Sequence, residues 1–173
     1  MKKKTSSALI RSVLALLLVG SADATPMTYS LSELAPVGGH YSNAISLNST
    51  GQIVGISSLP GDLYSQAVVW NDSASVIFRT EGIITSINES GQVAGYFNDR
   101  YGNRAFLGDI RGWRVDLGDP LQNSIAYDLN NFGQVVGSLQ TNGAPVATLW
   151  SDSAPTALGP LDGTYSAAYA VND

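Results

Sequence analysis

The strongest constraint on what this chain can fold into is a motif that returns about every 42 residues. An apolar residue, Asn, two variable residues, Gly and Gln occur at Leu47–Gln52, Ile87–Gln92 and Leu129–Gln134. A further copy opens at Ala170-Val171-Asn172-Asp173. The asparagines Asn48, Asn88, Asn130 and Asn172 stand 40, 42 and 42 residues apart. A fixed period of this length belongs to arrays, solenoids and propellers, in which each unit buries its apolar face on the next. It speaks of architecture and names no reaction.

Around each asparagine the copies agree further. Four positions earlier stand Ala44, Ile84, Ala126 and Ala168, and one position earlier Leu47, Ile87, Leu129 and Val171. Asn-x-x-Gly suits a type I turn, with the Asn side chain bonding backbone two residues on. Gly51, Gly91 and Gly133 supply the position that tolerates a positive φ. Each turn then joins two strands of a hairpin. The second strand is brief, Gln-Ile-Val-Gly and its relatives, and ends at Gly55, Gly95 or Gly137. A third follows at Ala67–Trp70, Ala105–Gly108 and Ala147–Trp150, and a fourth at Ser75–Arg79, Trp113–Leu117 and Thr156–Leu158. Trp70 and Trp150, ending the third strands, are expected to pack between neighbouring units. No apolar 3.6-residue period is long enough for a helix.

The fold class this predicts is all-β, a repeat protein of propeller-like, four-stranded blades. The complete units fall at about 41–82, 83–122 and 123–164, with a partial unit over 165–173. Met27–Leu34 is read as a lone fourth strand and Tyr165–Asn172 as a lone first strand. Closed propellers have about four to eight blades, so this inventory predicts an incomplete array. Its open sheet edges offer a route to oligomerisation.

Residues 1–24 read as a secretory signal peptide rather than part of the fold. Lys2-Lys3-Lys4 is the basic start, Val13–Gly20 a short apolar core, and Ala22-Asp23-Ala24 a small-residue cleavage site. The apolar stretch is far shorter than the roughly 20 residues a spanning helix needs. Export, with secretion or display at the cell surface, is therefore expected, and no transmembrane anchor after cleavage. The chain has no cysteine, so neither a disulfide nor a lipid-modified cysteine is available. Losing the leader leaves five arginines, no lysine and thirteen carboxylates over 25–173. Such an acidic chain lacks the basic patch that nucleic acid or anionic lipid requires.

The sequence A-x-x-[LIV]-N-x-x-G-Q-[IV]-V-G, matched by Ala126–Gly137, is followed by Ala147–Trp150 and then by Leu158–Ala168. This pattern resembles the HAF-type extracellular repeat of exported bacterial proteins, which often carry a C-terminal PEP-CTERM sorting signal. The resemblance covers nearly all of residues 30–173. The family's His is replaced by Gln66, Arg104 and Val146, Gly108 stands where Trp is expected, and no PEP-CTERM tail is present. The family transfers no activity.

Chemistry is sparse. The one histidine, His40, lies in a Gly-Gly-His-Tyr turn, and the mature chain has neither Cys nor Lys to act as nucleophile. Asp116, Asp119 and Asp128 are too scattered for paired-carboxylate hydrolysis. Asn71-Asp72 and Asn98-Asp99 are turn residues that match no calcium-loop pattern. No cofactor, metal or catalytic residue is assigned. Asn48-Ser49-Thr50 and Asn88-Glu89-Ser90 fit the glycosylation acceptor pattern, an accidental match if the source is bacterial. The second unit alone breaks the repeat in charge, with Arg100, Arg104, Arg111 and Arg114 beside Tyr96, Phe97, Tyr101 and Trp113. Arg100, Tyr101, Trp113 and Arg114 are the candidate binding residues, for a polysaccharide or an acidic surface protein. The plainer reading of this cluster is solvated loops whose charges offset an acidic surface. The functional expectation is an exported binding or structural module. The alternative is a propeller-type polysaccharide lyase or hydrolase of which this chain is a fragment.

Overall fold

A computed structural model describes residues 29–61, 65–71, 74–77, 82–152, 154–159 and 163–173. The expected signal peptide lies outside the described residues. The chain divides into Met1–Ser32 and a second unit, Glu33–Asp173, which carries all the structure discussed below.

That unit is all-β, and no helix among the described residues is long and apolar enough to cross a membrane. Among the described residues, twelve strands form three antiparallel four-stranded sheets, each in simple chain order. The first sheet holds β1 (Ser42–Leu47), β2 (Ile53–Ser58), β3 (Ser65–Asn71) and β4 (Ala74–Ile77). The second holds β5 (Gly82–Ile87), β6 (Gln92–Asp99), β7 (Gly102–Asp109) and β8 (Arg114–Asp116). The third holds β9 (Ser124–Leu129), β10 (Val135–Thr141), β11 (Ala144–Ser151) and β12 (Ala154–Ala157). Among the described residues none of the sheets closes on itself.

Two apolar cores lie between the sheets. Val54, Ala67 and Val69 of the first sheet meet Ile84, Ile87, Val93 and Phe106 of the second. Ala94, Ala105 and Leu117 of the second meet Ala126, Leu129, Val135 and Trp150 of the third. Matched positions recur: Ile84 and Ala126 four residues before the asparagine, Ile87 and Leu129 one before it, Val93 and Val135 five after it. Consecutive strand residues face opposite sides, so Val93 serves one core and Ala94 the other. The middle sheet is buried on both faces.

The second strands do not end at their glycines, as the sequence reading has it. They run on to Ser58, Asp99 and Thr141, and each glycine stands opposite an irregularity in the first strand. There the register slips between Ala44 and Ser46, between Ile84 and Ser86, and at Val136/Gly137. A carbonyl of the bulged strand lies close against each glycine. A Cβ at Gly55, Gly95 or Gly137 would collide with the backbone oxygen of Asn43, Ile83 or Ile125. Glycine here is a steric requirement of the sheet interior.

Met27 and Thr28 lie outside the described residues, and the rest of the expected lone terminal strands does not form. Residues 29–34 and 163–173 are in no ladder. The C-terminal segment is nonetheless fixed to the third sheet: Ser166 N donates to Pro145 O (3.0 Å) and Ala168 N to Gly137 O (3.1 Å).

Candidate functional site

The asparagine turns are linked to one another by a repeated set of side-chain hydrogen bonds. Each turn closes locally, Gly51 N donating to Asn48 O, Gly91 N to Asn88 O and Gly133 N to Asn130 O, all at 3.1 Å. The glycines hold φ of 81°, 76° and 76°, a region that favours glycine. Each asparagine Oδ1 accepts from the amide of the following Gln at 2.9–3.0 Å. Oδ1 of Asn88 and of Asn130 also accepts from the amide two residues on, Ser90 N and Phe132 N. Each Nδ2 donates to the side-chain oxygen of Gln52, Gln92 or Gln134 at 2.7–2.8 Å.

The remaining Nδ2 proton leaves the turn. Asn48 Nδ2 donates to Asn88 O (3.0 Å), Asn88 Nδ2 to Asn130 O (3.1 Å) and Asn130 Nδ2 to Asn172 O (3.1 Å). Capping of the hairpin, the role read from sequence, is therefore half of what these side chains do. Asn48, Asn88 and Asn130 are buried with both amide protons in use. Glycosylation of Asn48 or Asn88 would have to break this network.

A parallel set of bonds runs through the next residue. Ser49 N donates to the Glu89 carboxylate (3.1 Å), Glu89 N to Asn131 Oδ1 (3.0 Å) and Asn131 N to Asp173 Oδ1 (2.8 Å). Asn131 Nδ2 also donates to Asp173 Oδ2 (2.6 Å). The Asn131 backbone amide, followed by its side chain, holds the Asp173 carboxyl below its ordinary value. Sequence reasoning passed this position over as variable. Its signal is that Glu89, Asn131 and Asp173 all carry a side-chain acceptor.

The four candidate binding residues split into two places. Arg100 and Tyr101 form the β6–β7 turn, the Arg100 guanidinium stacking 4.8 Å from the Tyr101 ring centre. Trp113, 62% exposed, lies in the β7–β8 turn with Arg114 just after it. The eight residues of β7 separate these turns, a run of roughly 25 Å at strand spacing. Arg114 is turned to the sheet: its guanidinium lies 4.0 Å from the Phe97 ring centre, and its Nε is 3.8 Å from Asp116. Arg104 is the hub of this cluster, bonding Asp99 (3.1 Å) and Asp116 with its guanidinium 5.3 Å from the Phe97 ring centre. Asp99 is held below its ordinary value first by the Tyr101 amide and then by Arg104.

The structural tryptophans differ from each other. Trp150 belongs to the core between the second and third sheets, and its Nε1 meets no acceptor among the described residues. Trp70 is buried outside the core between the first two sheets, and its Nε1 donates to Ala35 O (3.2 Å). Of the carboxylates weighed for hydrolysis, Asp116 pairs with Arg104, Asp119 bonds the Leu121 amide, and Asp128 takes Ser86 Oγ and the Leu129 and Val171 amides. Among the described residues no group of three or more His, Cys, Asp or Glu could hold a metal ion. A cleft of about 480 Å³ opens between the first two sheets beside Ile56, Leu59, Gln66, Ile83, Tyr96 and Asn98. Comparison with family models, curated proteins and solved structures finds no match for this chain.

Proposed function

We propose that this chain is an exported repeat module with propeller-like sheets, serving as a structural or binding element outside the cell or on its surface. The observation that supports this best is the asparagine tie. The same side chain, at the same place in each copy of the motif, bonds its own turn and the carbonyl of the next asparagine. A module built this way gains rigidity from its repetition. Export is read from residues 1–24, and the similarity to HAF-type repeats points the same way.

Of the two roles, the structural one has more support. Arg104 and Arg114 are engaged with Asp99, Asp116 and Phe97. Arg100, Tyr101 and Trp113 are left as the candidate ligand contacts, at separate ends of β7. A glycan array of acidic and neutral polysaccharides, probed with the purified domain and its Arg100→Ala/Trp113→Ala variant, decides between the roles. Binding lost in the variant assigns a carbohydrate-binding role to the second sheet. A blank array from folded protein assigns the structural role.

A further inference from the structure

The first sheet exposes a face that its counterparts bury. Leu47 is 69% exposed, whereas Ile87 and Leu129, at the same motif position, are 6% and 5% exposed. Ala44 is exposed, whereas Ile84 and Ala126 are fully buried. In β5 and β9 these side chains are covered by the sheet that precedes them in the chain. The covering sheet also donates an asparagine Nδ2 to the backbone carbonyl of Asn88 or Asn130.

The third sheet supplies that kind of cover, and residues 163–173 occupy it. Ala147 N donates to Ser166 Oγ at 2.9 Å, as Ala105 N donates to Ser124 Oγ of β9 at 2.9 Å. Asn130 Nδ2 meets Asn172 O as Asn88 Nδ2 meets Asn130 O, both at 3.1 Å. The occupant is close in sequence to the stretch that includes β1. Leu34, Pro36, Gly39, Tyr41, Ser42, Ala44 and Asn48 recur in register as Leu158, Pro160, Gly163, Tyr165, Ser166, Ala168 and Asn172. Among the described residues the segment over 163–173 belongs to no ladder and is held by separate bonds such as those to Pro145 O and Gly137 O, whereas β1 belongs to a four-stranded sheet.

We propose that the β1 face docks on the third sheet of a second copy of this chain, where it displaces residues 165–173. Leu47 and Ala44 would take the places of Val171 and Ala168, and Asn48 O the place of Asn172 O. The contact is head-to-tail, so repeated copies close a ring or extend a filament. The inference rests on reading the sheets as repeats. Asparagine variants test that reading within one chain, so the two fail separately.

The test is sedimentation of the full chain over a range of concentrations, with two variants. Leu47→Asp changes an exposed side chain of the monomer and is expected to stay folded by circular dichroism while losing self-association. Val171→Asp brings a carboxylate close to Asp128, loosens the segment and is expected to tighten self-association at least about tenfold. Association lost in Leu47→Asp and strengthened in Val171→Asp supports the exchange. Association indifferent to Leu47→Asp overturns it, as does weakening by both variants, which would mean docking on the segment itself. A wild type and Val171→Asp that both remain monomeric into the millimolar range overturn it as well.

Discussion

Asn88 Nδ2 donates to the backbone carbonyl of Asn130, 3.1 Å away and 42 residues on, while its Oδ1 accepts from Gln92 N at 2.9 Å. One side chain thus shapes a turn and ties that turn to the next sheet. Burial makes the tie matter: without the amide the Asn130 carbonyl keeps only the bond from Gly133 N within its own turn.

Asn88→Ala and Asn88→Asp separate the two jobs. Alanine removes both, and at about 1 kcal/mol per bond, with the Gln92 amide losing its Asn88 acceptor, the cost should be about 2–4 kcal/mol. Aspartate keeps the turn acceptor but sets a carboxylate against Gln92 Oε1 and Asn130 O. Its folded-state pKa must then rise, so the Asn88→Asp deficit should shrink as pH falls toward and below about 4, where a protonated carboxyl can donate. Urea denaturation from pH 7 to pH 3 measures this. An Asn88→Asp protein as stable as wild type at pH 7 would refute the tie.

Gly95→Ala should cost about 1–3 kcal/mol, the usual range for overpacking an interior. The added Cβ meets the Ile83 carbonyl oxygen, a backbone atom that cannot swing aside as a side-chain tip would. Gly112 is the control: it holds φ of 94°, but nothing lies near its Cβ position, so alanine there tests conformation without collision. Thermal unfolding of both variants, with a Gly95→Ala loss under about 0.5 kcal/mol, would show that the bulge relaxes.

These two positions mark what could be read from the chain. The turn was legible because its bonds span two to four residues: Asn at the first position and Gly at the fourth state it locally. The tie from Asn88 to Asn130 was not, because it depends on how closely two sheets stack. Gly95 looked like a strand end because glycine usually punctuates strands. Its real cause, a bulge in the partner strand, leaves no local mark. Arg104 was noted in the basic cluster but left out of the candidate site. Asp99 and Asp116 are 5 and 12 residues from it in sequence, and only the hairpin register brings them together.

Trp150→Ala should lose about 3–5 kcal/mol, the range for a buried aromatic truncated to alanine. Trp150 is 1% exposed and lies in the core between two sheets. Trp→Phe then distinguishes the two tryptophans. At Trp70 it deletes the bond to Ala35 O, worth about 1 kcal/mol. At Trp150 it deletes a buried donor without an acceptor among the described residues, which offsets part of the lost packing. Chemical denaturation of both pairs reads the difference. A larger Trp→Phe loss at 150 than at 70 would mean that the Trp150 indole has found a partner.

The last prediction concerns acid and the tip of the β6–β7 hairpin. Asp99 accepts from Tyr101 N (2.7 Å) and from Arg104 Nη1 (3.1 Å), which holds its carboxyl below the ordinary value of 3.8. A depressed folded-state value means that the charged form steadies the folded tip. That contribution is complete above the unfolded-state pKa and disappears as pH falls through the lower folded one. The main cause is the Tyr101 amide, with Arg104 behind it. Arg104→Gln should therefore raise the Asp99 value only part of the way back. Carboxyl-carbon NMR titration of wild type and Arg104→Gln follows this directly. Asp99 titrating at or above 3.8 in the wild type would show that the Tyr101 bond does not persist in solution. The Arg100–Tyr101 stack would then be presented on a loose tip rather than a fixed one.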